Sequence, residues 1–180
     1  MPSSTFEARL ESYQRLLSLS QVLTSTLDLL ELLDLIVNAA RDLTRTEATS
    51  ILLLDAKTGD LYFEAVTGSK SDEIKRVVVP PNSLAGWVVR EGQVEIINDV
   101  SKDKRFYAQS DVRTGFQTRA LIGVPMKVKE RVIGVLEAIN PADGRSFTDE
   151  DVELLTTLSA QAAIAIENAR LFHQSDLISE

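Results

Sequence analysis

The stretch from Arg119 to Asn140, RALIGVPMKVKERVIGVLEAIN, decides the fold. It reads as two apolar strands joined by a tight turn at Lys129-Glu130, with β-branched residues where a sheet uses them. At period 2, one side of the second strand carries Val132, Gly134, Leu136 and Ala138. The other side carries Ile133, Val135, Glu137 and Ile139. Both sides are mostly apolar, whereas an antiparallel sheet with one wet face alternates apolar with polar. The hairpin is therefore expected mid-sheet, with something covering each face. Pro125 has no N–H to give to a ladder and predicts a bulge or irregular segment there. Glu137 interrupts an apolar stripe, so its carboxylate must be paired, protonated or face a cavity. A Glu paired at the sheet end and a Glu lining a pocket both satisfy the pattern.

Downstream of the hairpin, Pro141-Ala142-Asp143-Gly144 makes a turn, and the last helix announces itself clearly. Thr148 is the N-cap, Asp151 takes the reciprocal place of a capping box, and Phe147 and Val152 form a hydrophobic staple. Asp149 and Glu150 suit the positive helix end. Leu155, Leu158, Ala162, Ala165, Ala169 and Phe172 fall on a heptad seam, with Leu154, Ile164, Ile166 and Leu171 off it. A helix apolar on more than one side must contact the sheet and something else, and its small Ala residues admit a second helix.

Upstream, Phe6, Leu10, Tyr13 and Leu17 give an N-terminal helix to about Thr26 a sticky stripe that weakens at Ser20 and Thr24. It is the obvious partner for the last helix, in the same chain or in a second copy. A new helix begins at Asp28, a cap with Glu31 three residues on, and presents Leu29, Leu33, Ile36, Ala40 and Leu43 to a core. Thr49–Leu54 and Leu61–Val66 form a hairpin around the Gly59 loop. A third apolar run, Ile74 to Val79, stops at Pro80-Pro81. Ser83 caps a short helix, Leu84 to Glu91, closed by Gly92. Gly86 inside it costs about 1 kcal/mol relative to Ala, which points to close approach of another segment or a ligand, or to an irregular helix. Val94–Ile97 is a further strand.

The segment from Asn98 to Thr118 is long for a compact domain and predicts a functional loop or a short helix, with Ser110 capping one turn through Gly115. From Asn98 to Arg119, Lys102, Lys104, Arg105, Arg113 and Arg119 outnumber Asp99, Asp103 and Asp111, within a chain of net charge -8. Phe106, Tyr107 and Phe116 accompany them. Cationic and aromatic groups on one loop can close over a planar or anionic small molecule. The same residues also suit a loop pinned to the core by its aromatics, with its charges in water.

With 180 residues, 44% of them hydrophobic, the chain can form one domain with appended helices. Its acidity (pI about 4.8) argues against nonspecific binding to nucleic acid or anionic membrane. No run of apolar residues is long enough to span a bilayer, and no signal peptide is evident. Cysteine is absent, which removes disulfides, thiolate nucleophiles, Cys metal sites and thioether-linked chromophores, and fits a cytoplasmic setting. His173, the single histidine, has no second His or Cys to complete a catalytic or metal site and reads as a solvated helix residue. No phosphate loop or nucleophile elbow appears. No catalytic or metal residue and no covalent cofactor are expected.

Four stretches together resemble the GAF family of regulatory domains: SLAGWVVREGQVEIINDVSKDKRF (83–106), TGFQTRALIGVPM (114–126), RVIGVLEAIN (131–140) and FTDEDVELLTTLSAQAAIAIENARLF (147–172). The resemblance covers about Ser18 to Phe172. It implies an α+β, GAF/PAS-like fold: a central antiparallel sheet of about six strands, helices including the terminal pair on one face, and a small-molecule pocket under short helices and a loop on the other. It further implies a homodimer through the terminal helices, coupled to an output domain such as a kinase, cyclase, phosphodiesterase or transcription factor.

The expected division is a dimerisation helix over 1–27, a GAF domain over 28–172 whose last helix, 149–172, joins the dimer bundle, and a tail or linker over 173–180. Bilin-binding relatives and free methionine sulfoxide reductases depend on cysteine, which excludes both. Cyclic-nucleotide-binding members commonly carry Asn-Lys, then Phe and Asp-Glu. Here Asn140, Phe147, Asp149 and Glu150 remain, but Pro141 replaces the Lys, so its salt bridge is expected to be missing. Lys104 stands where many relatives have Pro. The expected pocket residues are Trp87, Phe106, Tyr107 and Phe116 for stacking, Arg119 to meet an acidic group, and Asn98, Asp99 and Glu137 to fix donors. The expected function is a non-enzymatic sensor, the alternative a ligand-free dimerisation module.

Overall fold

A computed structural model describes the backbone of residues 2–67, 77–104 and 117–179 and the side chains of 5–67, 77–104 and 117–173. Helix α1 is Pro2–Ser25, α2 Leu29–Thr44, α3 Leu84–Glu91 and α4 Asp149–Ser179; the strands are β1 Thr46–Leu54, β2 Leu61–Val66, β3 Val78–Val79, β4 Glu95–Ile97, β5 Leu121–Val128 and β6 Arg131–Pro141. All pairings are antiparallel, in the order β3-β2-β1-β6-β5-β4. The sequence hairpin is β5–β6, and it lies mid-sheet because both faces of β6 need cover. Lys129 takes the left-handed conformation that its turn requires (φ 57).

One face packs on three helices. Ile51, Leu53, Ala65, Ile122, Val124, Met126, Leu136 and Ala138 form a single core with α1, α2 and α4. Complete burial of each Leu or Ile there contributes about 1.5–3 kcal/mol. On the other face, Leu52, Leu61, Phe63, Leu121 and Val135 meet Leu84, Ala85 and Val88 of the short α3. The one departure from the strand's alternation is Ile133. The ladder steps from Met126↔Gly134 to Lys127↔Val132, so Ile133 is the extra residue of a bulge and joins the helical core instead of following Val135. Pro125, expected to mark the irregularity, pairs with Val135 one step before it.

Local chemistry fixes the helix ends. Asp28 accepts from Glu31 N at 3.1 Å. Ser83 accepts from Gly86 N at 3.2 Å, and Gly92 closes α3 at φ 64. Thr148 and Asp151 form the full reciprocal box: Asp151 N donates to Thr148 Oγ1 at 3.2 Å and Thr148 N to Asp151 Oδ2 at 2.9 Å. Gly86 is required by close approach, because a Cβ there would lie 2.2 Å from the Pro81 carbonyl oxygen.

Helices α1 and α4 run in the same direction. Arg9 Nη2 lies 3.8 Å from Glu153 Oε2 near one end, and Leu27 and Phe172 border one cavity at the other. The heptad seam of α4 is used within the chain: Leu155, Leu158, Ala162, Ala165 and Ala169 are all buried. What remains uncovered among the large apolar side chains is Ile164, Leu171 and the last seam residue, Phe172, on α4 and Phe6, Leu10, Leu17 and Val22 on α1. Helix α4 also continues past Phe172 to Ser179, since no Gly or Pro follows to stop it.

Candidate functional site

The sheet face under α3 is built around Glu137. Its register neighbours are Ser50 on β1 and Gly123 on β5, with Glu95 of β4 one strand further along the same row. Because Gly123 has no side chain, Leu84 and Val88 come down onto that row. A Cβ at Gly123 would stand 3.1 Å from Val88 Cγ2 and 3.6 Å from Leu84 Cδ2. Glu137 is 6% exposed, and among the described residues its hydrogen-bond partner is the Ser50 hydroxyl, at a long 3.5 Å. No cation pairs with it there. Burial without compensation pushes its carboxyl up to about 7, against a weak opposing pull from Ser50. It is the buried carboxyl anticipated from the sequence, and it is mid-sheet, not paired at an end.

The other expected site residues are placed differently. Trp87 is half-buried on α3. Asn98 is exposed. Asp99, also exposed, caps the 3₁₀ turn Val100–Lys102, accepting from Ser101 Oγ at 2.6 Å and Ser101 N at 3.0 Å. Those bonds from Ser101, more than Lys102 nearby, hold its carboxyl below the usual carboxylate range. The Arg119 guanidinium donates to the Pro141 and Arg145 carbonyls at 3.0 and 3.3 Å. Phe106, Tyr107 and Phe116, the Ser110–Gly115 turn and residues 74–76 of the third apolar run lie outside the described residues.

Two residues not singled out for the site hold its frame together. Asn140, 4% exposed at φ 57, ends the long connection: its Oδ1 accepts from Arg119 N at 2.7 Å and Ala120 N at 3.0 Å. Its Nδ2 donates to the Gln117 carbonyl at 2.8 Å and Glu47 Oε2 at 3.0 Å. All four hydrogen-bonding positions of that amide are therefore used. The second is Arg145, which reaches Asp151 Oδ2 at 2.7 Å and the Thr44 carbonyl at 2.6 Å, tying the start of α4 to the end of α2. The bridge that a Lys at 141 would make has no donor here, and a different ion pair lies nearby. Arg145 supplies it from four residues further on, to an acid that the sequence reading assigned to the cap alone.

A separate cavity of about 750 Å³ opens on the helical side, between the α1–α2 junction (Leu27–Leu30), the β1–β2 hairpin and the exit of α4 (Ala169–His173). None of the five expected site residues that are described, Trp87, Asn98, Asp99, Arg119 and Glu137, borders it. Among the described residues no cluster of three or more His, Asp or Glu could hold a metal, and no helix is long and apolar enough to cross a membrane.

The sequence model of the GAF domain matches residues 28–166. The chain belongs to the GAF domain family. A GAF domain is a regulatory module, and this one is 27% identical over 147 residues to the probable 3′,5′-cyclic phosphodiesterase pde-5 of Caenorhabditis elegans, covering 76% of the chain and 20% of that protein. It is 33% identical over 126 residues to the cGMP-specific 3′,5′-cyclic phosphodiesterase of Drosophila melanogaster, covering 68% and 11%. Our GAF chain therefore spans a fifth or less of the length of these relatives. Among solved structures, the GAF domain of an Acinetobacter phosphoenolpyruvate-protein phosphotransferase superposes with a TM-score of 0.75 at 25% identity, over 92% of this chain and 97% of that one. The six-stranded antiparallel sheet with its helices is the arrangement the resemblance implied.

Proposed function

We propose that this GAF domain is a non-enzymatic, cytoplasmic sensor that takes a small molecule on the α3 face of its sheet and signals through its terminal helices as a homodimer. The observation that carries this reading is Glu137: a carboxyl buried mid-sheet, with a single distant hydroxyl for company among the described residues, is a poor structural element and a good ligand anchor. Ser50 and Trp87 complete the anchor, and Phe106, Tyr107 and Phe116 of the long connection are assigned the stacking surface. Asn98, Asp99 and Arg119 form the footing of that connection. Occupancy would select one arrangement of the loop held by Asn140, and the shift would reach α2 and α4 through the Arg145 clamp.

Phe6, Leu10 and Leu17 with Ile164 and Leu171 form the proposed dimer surface, since apolar residues repeated along two parallel helices lack cover in a single copy. Residues 1–27 are its dimerisation segment, 28–172 the sensing domain, and 173–180 a tail or the start of a linker toward an output partner. By the family resemblance that partner is a phosphodiesterase, a kinase, a cyclase or a transcription factor, and the phosphodiesterase relatives favour the first.

Native mass spectrometry of the protein as purified, followed by thermal-shift screening of a metabolite and nucleotide library, tests the reading. The expected result is a dimer whose Tm is raised by at least one compound in wild type and not in Glu137→Gln. A dimer unresponsive to the whole library would replace the sensor with a dimerisation module. A monomer at high concentration would remove the proposed signalling route.

A further inference from the structure

The row Ser50–Glu137–Gly123 holds two observations that point to the chemistry of the ligand. First, Glu137 is more than nine-tenths buried, and from β1 it is met by a hydroxyl, from β5 by a glycine, and from α3 by Leu84 and Val88. None of these carries charge. The nearest titratable group on the row is Glu95 of β4, two strand spacings or roughly 10 Å away, of the same sign and with an interaction of its own. On α3, Arg90 is exposed and donates to the Pro81 carbonyl. Second, a carboxyl accepts up to four hydrogen bonds, and the Ser50 hydroxyl at 3.5 Å fills one of them poorly. Among the described residues the carboxyl thus has no cation beside it and lacks most of the donors it can accept from.

We propose that ligand binding here is coupled to release of one proton: a ligand presenting two neighbouring N–H donors, as an amidine, guanidine or aminopurine edge does, takes the place of the proton that Glu137 carries when the site is empty. This rests on the α3 face being the ligand site. The proton passes to solvent, and no covalent bond is made or broken. Two parallel N–H groups match the two oxygens of a carboxylate, which a neutral carboxylic acid cannot accept from equally. A ligand offering a carboxylate or phosphate to the same place is rejected, since it would meet either a like charge or a single O–H.

The magnitude follows from the population of the competent state. With the carboxyl titrating at about 7, the ionised fraction rises about tenfold between pH 6 and pH 8, and apparent affinity rises with it. Above pH 8 the dependence disappears.

The test labels the glutamate side-chain carboxyl carbons of the full chain with ¹³C. Their NMR titration is followed from pH 4 to 9 in wild type and Glu137→Gln, the signal absent from the variant being Glu137. Benzamidine, benzamide, benzoate, guanosine and cyclic GMP are then titrated at pH 6 and 8 by calorimetry in two buffers of different ionisation enthalpy. We expect Glu137 to titrate near neutrality. A donor probe should shift it to its carboxylate position at pH 6, bind about tenfold more tightly at pH 8, and release close to one proton at pH 6. Benzoate should not compete. A Glu137 signal titrating with the surface glutamates, or a probe binding equally at both pH values and equally to Glu137→Gln, overturns the coupling while leaving a ligand site in place. Failure of every probe and of the wider library to bind, with Glu137 still titrating near neutrality, overturns the site itself.

Discussion

Leu136 and Glu137 are neighbours in β6 and face opposite worlds. Leu136 points into the joint core of three helices and is fully buried among apolar side chains. Glu137 points under one eight-residue helix. The helical side is thick, continuous and closed by a capping box and an ion-pair clamp; the α3 side is thin and contains an acid with no cation beside it among the described residues. Stability is concentrated on one face, which frees the other to hold a group that a folding core would exclude.

The most direct way to sharpen this contrast is to truncate each member of the pair. Leu136→Ala should lower unfolding free energy by about 2–5 kcal/mol in urea titration, because the packed helices cannot collapse into the gap. Glu137→Gln should do the reverse, and only in one pH range. A carboxyl raised in the folded state from 4.5 to about 7 contributes no penalty below pH 4.5. Its ionisation then destabilises the fold progressively as pH rises toward 7, and the penalty levels off at about 3 kcal/mol above that. The variant should therefore match wild type at pH 4.5 and be more stable by up to that amount at pH 8. A constant difference across the range would break the contrast.

Smaller effects probe the joints between the faces. Asn140→Ala leaves Arg119 N, Ala120 N and the Gln117 carbonyl without their partner. It should lose about 2–3 kcal/mol, with faster amide exchange at residues 117–120. Ser83→Ala removes the cap of α3 and should lose about 1 kcal/mol, while a probe bound under α3 should weaken with it. Ile164→Glu lies on neither face: stability of the single copy should change by no more than about 0.5 kcal/mol, and sedimentation should show loss of the proposed dimer.

What the sequence revealed and what it hid divide along the same physical line. Ser83, Gly92, Thr148 and Asp151 act on backbone within a turn of themselves, so their roles are written in local order. The alternation of β6 is equally local, and it exposed Glu137 as out of place. The bulge at Ile133 was hidden because it is a mismatch between two strands, and neither strand alone records it. Asn140 binds groups 20 or more residues away in the chain, and Arg145 finds Asp151 across an irregular turn, so no periodicity flags either. Nor could the pattern of α4 tell which of its apolar stripes its own chain would cover. The alanine seam and the Ile164–Leu171 stripe look alike until the first helix is laid alongside.

Helix α4 runs unbroken for 31 residues, from the clamp at Asp151 to well past the last strand contact. Such a rod transmits orientation as well as distance. Each residue added beyond Phe172 would turn anything joined to its far end by about 100° and advance it by about 1.5 Å. Spacer length would then set the angular phase between this domain and anything attached there, and an insertion of seven residues would nearly restore it where a single one would not.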